Sequence, residues 1–392
     1  MDMISYGRQH IDEADIQAVV ECLRSGALTQ GPKVAEFEQA IAAYVGARYA
    51  VAVSNGTAAL HLAAMAAELG PSSIVVTSPI TFVASANAAL YVRARPIFSD
   101  VDPQTINLSP SALAQTLAQN PDVKAIIPVH FSGLPCDMAA IKSAADRVGA
   151  LIIEDAAHAL GARYSDGRRV GACSHSLMTI FSFHPVKSIT TGEGGMVTTN
   201  DEQVYRRLLR LRSHGINKGL DEFLDQDAAF TDGAPNPWYY EMQELSFNYR
   251  ITDIQCALGI TQLAKLDRFI ERRRYLVSRY DRAFAASPLI RPIQLDQRDR
   301  SAHHLYPVMI DFAAAGISRA DLMNRMREQG IITQVHYMPV PAHPYYRSLG
   351  HNPDHYPHGQ TYYQRALSLP LFYGLTESQQ DRVIAIMKEL VP

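Results

Sequence analysis

Lys187 closes the stretch Ser182-Phe183-His184-Pro185-Val186-Lys187, thirty-two residues after Asp155 in Leu151-Ile152-Ile153-Glu154-Asp155. Gly192-Glu193-Gly194-Gly195 comes just behind the lysine. An apolar run ending in an acid reads as a buried strand whose carboxylate emerges at the strand's end. The second apolar stretch delivers an amine, flanked by the Ser182 hydroxyl and followed by a glycine turn. These are the parts that pyridoxal phosphate (PLP) chemistry needs. A lysine amine links covalently to the cofactor aldehyde. An acid keeps the pyridine nitrogen protonated, so that the ring accepts electrons from a carbanion. A hydroxyl can hydrogen-bond the phosphate. A lone lysine is usually a solvated surface residue; the joint pattern resists that explanation.

Such groups need a sheet to hold them. From Tyr49 to about residue 200, short apolar runs alternate with helical stretches. The spacing predicts strands at 49–53, 74–77, 96–99, 125–129, 151–154, 178–183 and 196–199. It predicts helices between them at 57–69, 82–91, 111–117 and 138–148. Two earlier helices span 11–24 and 37–45, the second stopped by Gly46. This alternation argues for an α/β fold with a mainly parallel sheet flanked by helices, with ligands at the carboxyl ends of the strands. Asp155 lies at one such end. Residues 217–240 break the pattern as a long loop. Residues 252–284 read as one long helix or two stacked helices. A smaller α/β unit follows, with strands at 306–312 and 331–335 and helices at 318–329 and 378–390.

Other residues gain meaning from this frame. Gly56-Thr57-Ala58 lies between a strand and a helix, where free amides and the helix dipole can bind phosphate; an ordinary threonine-capped turn is the plainer explanation. Phe82 follows the strand-end segment Ser78-Pro79-Ile80-Thr81, either stacking on a cofactor ring or packing in the core. His158, three residues past Asp155, is a candidate for the opposite ring face or the phenolic oxygen. His130, after Pro128-Val129, is either structural or a substrate contact. Asn248 and Arg250 precede Thr252 and Asp253, which read as helix-cap residues. His351, Asp354, His355 and His358 lie in a Pro- and Asn-containing loop without cysteines, which reads as solvated loop and not as a metal site. The chain has no GxxxxGK[ST] and no GxGxxG after its first strand, against an NTPase or nicotinamide enzyme.

Composition sets the outer bounds. A chain of 392 residues with 47% hydrophobic and 19% charged residues has a large core and room for two or three domains. A net charge of −3 gives no electrostatic case for nucleic acid or membrane binding. The charged N-terminus reads as neither signal peptide nor anchor. Cys22, Cys136, Cys173 and Cys256 are scattered without a CxxC pair, which points to a reducing, cytoplasmic setting.

The sequence resembles the DegT/DnrJ/EryC1/StrS sugar aminotransferase family, within the fold-type I PLP enzymes, over nearly its whole length. The likeness rests on Leu28-Thr29-Gln30-Gly31-Pro32, Val53-Ser54-Asn55-Gly56-Thr57-Ala58-Ala59-Leu60, Pro128-Val129-His130, Glu154-Asp155-Ala156-Ala157-His158, the lysine segment and Phe247-Asn248-Tyr249-Arg250-Ile251-Thr252-Asp253. Three further stretches resemble the branch serving pseudaminic acid biosynthesis: Tyr6-Gly7-Arg8-Gln9, Phe131-Ser132-Gly133-Leu134-Pro135-Cys136-Asp137-Met138 and Trp238-Tyr239-Tyr240-Glu241-Met242-Gln243-Glu244-Leu245.

The resemblance implies a large PLP-binding domain over 1–250 with an N-terminal arm, and a linking helix with a small C-terminal domain over 251–392. It implies L-glutamate as amino donor and a UDP-linked 4-keto-6-deoxy-N-acetylhexosamine as acceptor. The other readings are the UDP-4-keto-pentose aminotransferase of lipid A modification, another nucleotide-sugar aminotransferase, and a non-catalytic PLP-binding regulator. Lys187 and Asp155 become the catalytic pair. Gly56, Thr57, Ala58, Phe82, His158, Ser182 and Asn248 become cofactor contacts, Asn248 or Arg250 reaching the partner subunit's phosphate in a homodimer with shared sites. Tyr6 and Arg8 fall near the nucleotide; His184, Tyr249, Arg250 and His336 are the remaining substrate candidates. Some family members carry histidine in place of the lysine and act as dehydratases, and Lys187 argues against that branch.

Overall fold

The computed structural model describes residues 3–219 and 221–392. Its centre is a seven-stranded sheet. In chain order the strands are β1 (Tyr49–Val53), β2 (Ile74–Thr77), β3 (Arg95–Phe98), β4 (Val123–Ile127), β5 (Leu151–Asp155), β6 (Met178–Ser182) and β7 (Gly195–Thr199). In space they run β1-β7-β6-β5-β4-β2-β3. The five strands from β3 to β6 are parallel, and β7 is antiparallel to both β6 and β1.

Both faces of the sheet are buried, which explains the nearly continuous apolar runs. Side chains alternate across a strand, so Ile152 and Ile153 enter different cores. On one face Ile152, Ile126 and Phe181 pack with Phe37 and Ile41 of α2 (Pro32–Val45) and with Leu113 and Ile141. On the other, Ile153, Ile127 and Ile180 pack with Leu60 and Leu62 of α3 (Gly56–Ala66) and with Leu208. At roughly 1.5–3 kcal/mol for each large apolar side chain removed from water, these layers are the main stabilising term of the fold.

The same alternation puts Glu154 on the face away from Asp155. Glu154 is fully buried and accepts four hydrogen bonds: His130 Nε2 at 2.7 Å, Tyr164 at 2.7 Å, Ser176 at 2.5 Å and Thr179 at 3.1 Å. Burial alone would raise its pKa; the bonds from His130, Ser176 and Tyr164 outweigh that and lower it. His130 is thus a structural partner of β5, and its backbone N–H also donates to the Asp155 carbonyl at 3.0 Å.

After β7 the chain leaves the sheet. The predicted loop over 217–240 contains a short helix, Gln226–Ala229, and two-residue ladders, for which its Gly- and Pro-rich sequence gave no periodic signal. Of the two readings of 252–284 the structure shows the second, two helices, Asp253–Leu263 and Leu266–Phe284. The first starts at a Thr252–Gln255 capping box. Lys265, at the junction, reaches Asp12 at 2.7 Å and buried Asp15 at 2.5 Å, fastening helix α1 (Glu13–Arg24). The second helix gives Phe269 and Ile270 to the first core and Leu276, Val277 and Tyr280 to a C-terminal core. That core lies on a three-stranded antiparallel sheet of Ile290–Pro292, Tyr306–Ile310 and Ala366–Leu369. The strand expected over 331–335 is not one: Ile331 and Gln334 make single bridges to Ile4 and Ser368. The β-branched run instead clasps the N-terminal arm, and Ile4 is buried in the C-terminal core.

Candidate active site

A cavity of about 800 Å³ opens where β5 and β6 end. Asp155 ends β5, and Ser182 ends β6, with Lys187 in the turn that follows. The Lys187 N–H donates to the His184 carbonyl at 2.8 Å, and Thr190 and Thr191 both tie back to the Phe183 carbonyl. The turn therefore holds the lysine over the strand ends. Burial pushes its amine down to about 8, while the nearby Asp155 carboxylate acts the other way. Near neutral pH a far larger share of such an amine is free base than of an ordinary lysine, which favours nucleophilic or proton-transfer work.

Asp155 is buried and held at both oxygens. Its Oδ1 accepts from the Ala157 N–H at 3.1 Å and its Oδ2 from the Ser85 hydroxyl at 2.6 Å. Gly56, Thr57 and Ala58, on the first turn of α3, line the cavity beside Ser182. The Asn55 side chain caps this helix by taking the Ala58 N–H at 2.8 Å. The Gly56 and Thr57 amides have no acceptor among the described residues, the condition for an anion at a helix start. Close packing preserves the shape. A Cβ on Gly56 would lie 2.9 Å from Cβ of Ser182, and one on Gly195 would lie 2.4 Å from the Asn55 carbonyl.

The walls are aromatic and imidazole. Phe82 is 58% exposed, so it is no core residue, and it faces Tyr337 across 6.3 Å. His158 lies 4.4 Å from His304, ring to ring, and its Nε2 meets the Tyr337 hydroxyl at 3.1 Å. Burial, then the charge of Lys187, keeps His158 neutral; burial and neighbouring positive charge do the same for His304. Burial holds His336 down at about 3. Its Nδ1 pairs with Ser368 at 2.9 Å, and its ring packs on Tyr6.

Twelve of the residues singled out in the sequence line this cavity. Besides those above they include Tyr6, Ser182, His184 and Tyr249. Three do not. Arg8 borders a small space behind Lys187 with Arg273. Asn248 is exposed, and Arg250 borders a separate basic hollow with Arg210 and Lys218. Sequence reasoning missed Ser85, His304 and Tyr337. Only the hydroxyl four residues after Thr81 left any local trace.

The residues present fit PLP. Lysine, acid, free helix amides and hydroxyl surround one cavity. Nδ1 of both His158 and His304 is buried without a partner among the described residues, and a polar atom in such a place calls for a ligand or water. The described residues contain no cluster of His, Cys, Asp or Glu fit to hold a metal, and no helix among them is long and apolar enough to cross a membrane.

Comparison with known proteins agrees. The chain matches the DegT/DnrJ/EryC1/StrS aminotransferase family over residues 9–388. It is 40% identical to the spore coat polysaccharide biosynthesis protein SpsC of Bacillus subtilis, over 99% of this chain and 97% of that one. Its structure is similar to Helicobacter pylori PseC, an aminotransferase involved in the biosynthesis of pseudoaminic acid, with a TM-score of 0.89 at 28% identity over 100% and 99% of the two chains. It is similar too to the PLP form of the putative sugar aminotransferase Spr1654 of Streptococcus pneumoniae, with a TM-score of 0.87 at 28% identity over 100% of each chain. With the fold, the lysine–acid pair and the family in agreement, the chain belongs to the DegT/DnrJ/EryC1/StrS family and is a PLP-dependent sugar aminotransferase of fold type I.

Proposed function

We propose that the enzyme moves an amino group from L-glutamate to C4 of a UDP-linked 4-keto-6-deoxy-N-acetylhexosamine, in pseudaminic acid biosynthesis. The observation that carries this reading is the full-length structural likeness to PseC. The higher identity to SpsC favours a second reading, in which the aminated sugar enters a polysaccharide. A panel of UDP- and dTDP-linked 4-keto sugars, with mass spectrometry of the products, decides. Amination of the UDP-4-keto-6-deoxy-N-acetylhexosamine alone supports the first reading; its rejection in favour of another nucleotide sugar sinks it.

PLP, when bound, supplies the aldehyde that takes up the amino group and the ring that accepts the resulting electron pair. In the proposed mechanism Lys187 would anchor the cofactor, and its amine would carry a proton to and from the donor's α-carbon. Asp155 would hold the ring nitrogen. Gly56, Thr57 and Ser182 would hold the phosphate, Phe82 would cover one ring face, and His158 would meet the other or the phenolic oxygen. Tyr6, with His184, Tyr249 and His336, borders the space left for the sugar.

We further read residues 1–250 as the cofactor-carrying domain and 251–392 as linking helix and small domain, working as a cytoplasmic homodimer. Support for the dimer comes from apolar side chains left in water between 224 and 247. Trp238 is 72% exposed and Leu245 78%, with Leu224, Tyr240, Met242 and Phe247 close to them in sequence. A concentration of this kind marks a protein contact. Asn248, at its end, is exposed and would complete a partner's phosphate site.

A further inference from the structure

We propose that Thr81 and Ser85 form a hydroxyl relay that holds the Asp155 carboxylate aimed at the cofactor's ring nitrogen, which makes both of them positioning residues for amino transfer. The inference rests on reading Asp155 as the acid opposite that nitrogen.

Both hydroxyls are out of water: Ser85 is fully buried and Thr81 is 2% exposed. Thr81 Oγ1 lies 2.7 Å from Ser85 Oγ, and Ser85 Oγ lies 2.6 Å from Asp155 Oδ2. Chemistry fixes the direction. An ionised carboxylate only accepts, so the single Ser85 hydrogen goes to Asp155. Ser85 then offers Thr81 only lone pairs, and Thr81 must donate. The one competing acceptor for Ser85, the Phe82 carbonyl, is 3.4 Å away. A short bond to a charged oxygen outweighs it.

This arrangement does two things. With the Ala157 N–H on Oδ1, it ties down both carboxylate oxygens, so the side chain cannot rotate away from the cavity it lines. It also fixes where the carboxylate meets the cofactor, because a second hydroxyl behind the first polarises it and strengthens its bond to Oδ2. A proton shared between the ring nitrogen and Asp155 then stays on the nitrogen. Without the Ser85 donor the carboxylate is free to turn, loses its line to the ring nitrogen, and leaves that nitrogen to give up its proton and the ring poorer at accepting electrons. Thr81 and Ser85 stand four residues apart around the start of helix α4 (Ala84–Tyr91). Phe82, between them, lines the cavity, so one turn supplies both a ring wall and the tether of the acid.

The test uses PLP labelled with ¹⁵N at the ring nitrogen, loaded into the full-length enzyme. The nitrogen's chemical shift separates the protonated from the neutral ring, a readout that loss of packing does not move. The wild-type enzyme and Thr81→Ser should show the protonated shift. Ser85→Ala should move it toward the neutral ring, and Thr81→Val should move it the same way by less. For Ser85→Ala, kcat should fall roughly 10-fold, the worth of a charge-assisted hydrogen bond, with KM for the donor within twofold. Asp155→Asn separates the two claims. If it shifts the resonance while Ser85→Ala keeps the wild-type value, the relay is wrong and the acid is right. If Asp155→Asn leaves the resonance unmoved, the acid is misassigned and the relay falls with it. Should Ser85→Ala fail to fold, Thr81→Val against Thr81→Ser decides: equal shifts overturn the relay.

Discussion

At Lys187 two opposing forces set the working state. Desolvation disfavours the ammonium and the Asp155 charge favours it; desolvation wins, and the amine falls to about 8 from its ordinary 10.5. Its folded value is the lower one. Between about 8 and 10.5 the unfolded chain therefore binds a proton that the folded apo-enzyme does not, so this lysine makes apo-enzyme stability rise with pH across that window. The rate at which the apo-enzyme takes up PLP should climb with a midpoint near pH 8. Stopped-flow absorbance measures it, and a midpoint near 10.5 would show an amine left in water. Borohydride should fix the cofactor to Lys187 in peptide maps, and Lys187→Ala should lower multiple-turnover transamination by at least about 10³-fold, because anchor and proton carrier are lost together. Label on another lysine would overturn the assignment.

Strand β5 presents a chemical group to the cavity from one face and a structural one to the core from the other. Glu154, with its four donors, fastens β5 to the segments holding His130, Tyr164 and Ser176. Glu154→Ala would strand these donors inside the protein and should cost roughly 3–5 kcal/mol, read from denaturant midpoints. Because the carboxyl is held below its ordinary value, its contribution is present above the unfolded pKa and fades as pH falls through the folded one. Glu154→Ala should therefore flatten the acid limb of the stability profile; an unchanged limb would show that the network carries no charge. The N-terminal arm is a second element with a defined place. Ile4 and Ile331 pair, and the Tyr6 carbonyl accepts from Leu371 at 3.0 Å, so the arm is no loose terminus. Tyr6→Ala should raise KM for the sugar nucleotide several-fold more than KM for the amino donor, in initial-rate kinetics. Equal changes would place Tyr6 outside the sugar site.

For the whole molecule, the proposal to test is that a partner chain completes the cofactor's phosphate site. Asn248 does not line its own chain's cavity, and Arg250 borders a different one. If Asn248 serves the partner, a mixed dimer of Lys187→Ala and Asn248→Ala chains holds one site with both lesions and one with neither. Co-expressed and purified by two tags, such dimers should recover about half of wild-type activity per dimer. No recovery, with Asn248→Ala alone inactive, would mean that Asn248 serves its own chain.

The linear order of residues carried the lysine, the acid and the strands that hold them. Buried parallel strands demand apolar runs, and the groups at their ends follow at short range, so the meeting of Asp155, Ser182 and Lys187 at one cavity was legible from spacing. The Gly56 turn was legible for the same reason, since it starts a helix right after a strand, whereas Phe82 lies in the connection between Thr77 and Ala84. Two helices over 252–284 were one of two readings, and the junction itself is marked by a tertiary contact, Lys265 reaching Asp12 and Asp15. The bridges at 331–335 were misread as a strand because β-branched residues suit any extended backbone, and only the arm's position decides what they pair with. Tyr337 and His304 entered the site from tertiary structure alone. Tyr337 meets His158 across 179 residues of sequence, and Ser85 meets Asp155 across 70. Periodicity reports which face of an element is apolar, over a few turns at most. Which two faces then meet depends on how the whole core packs, and that gave the acid its tether and His158 its partner.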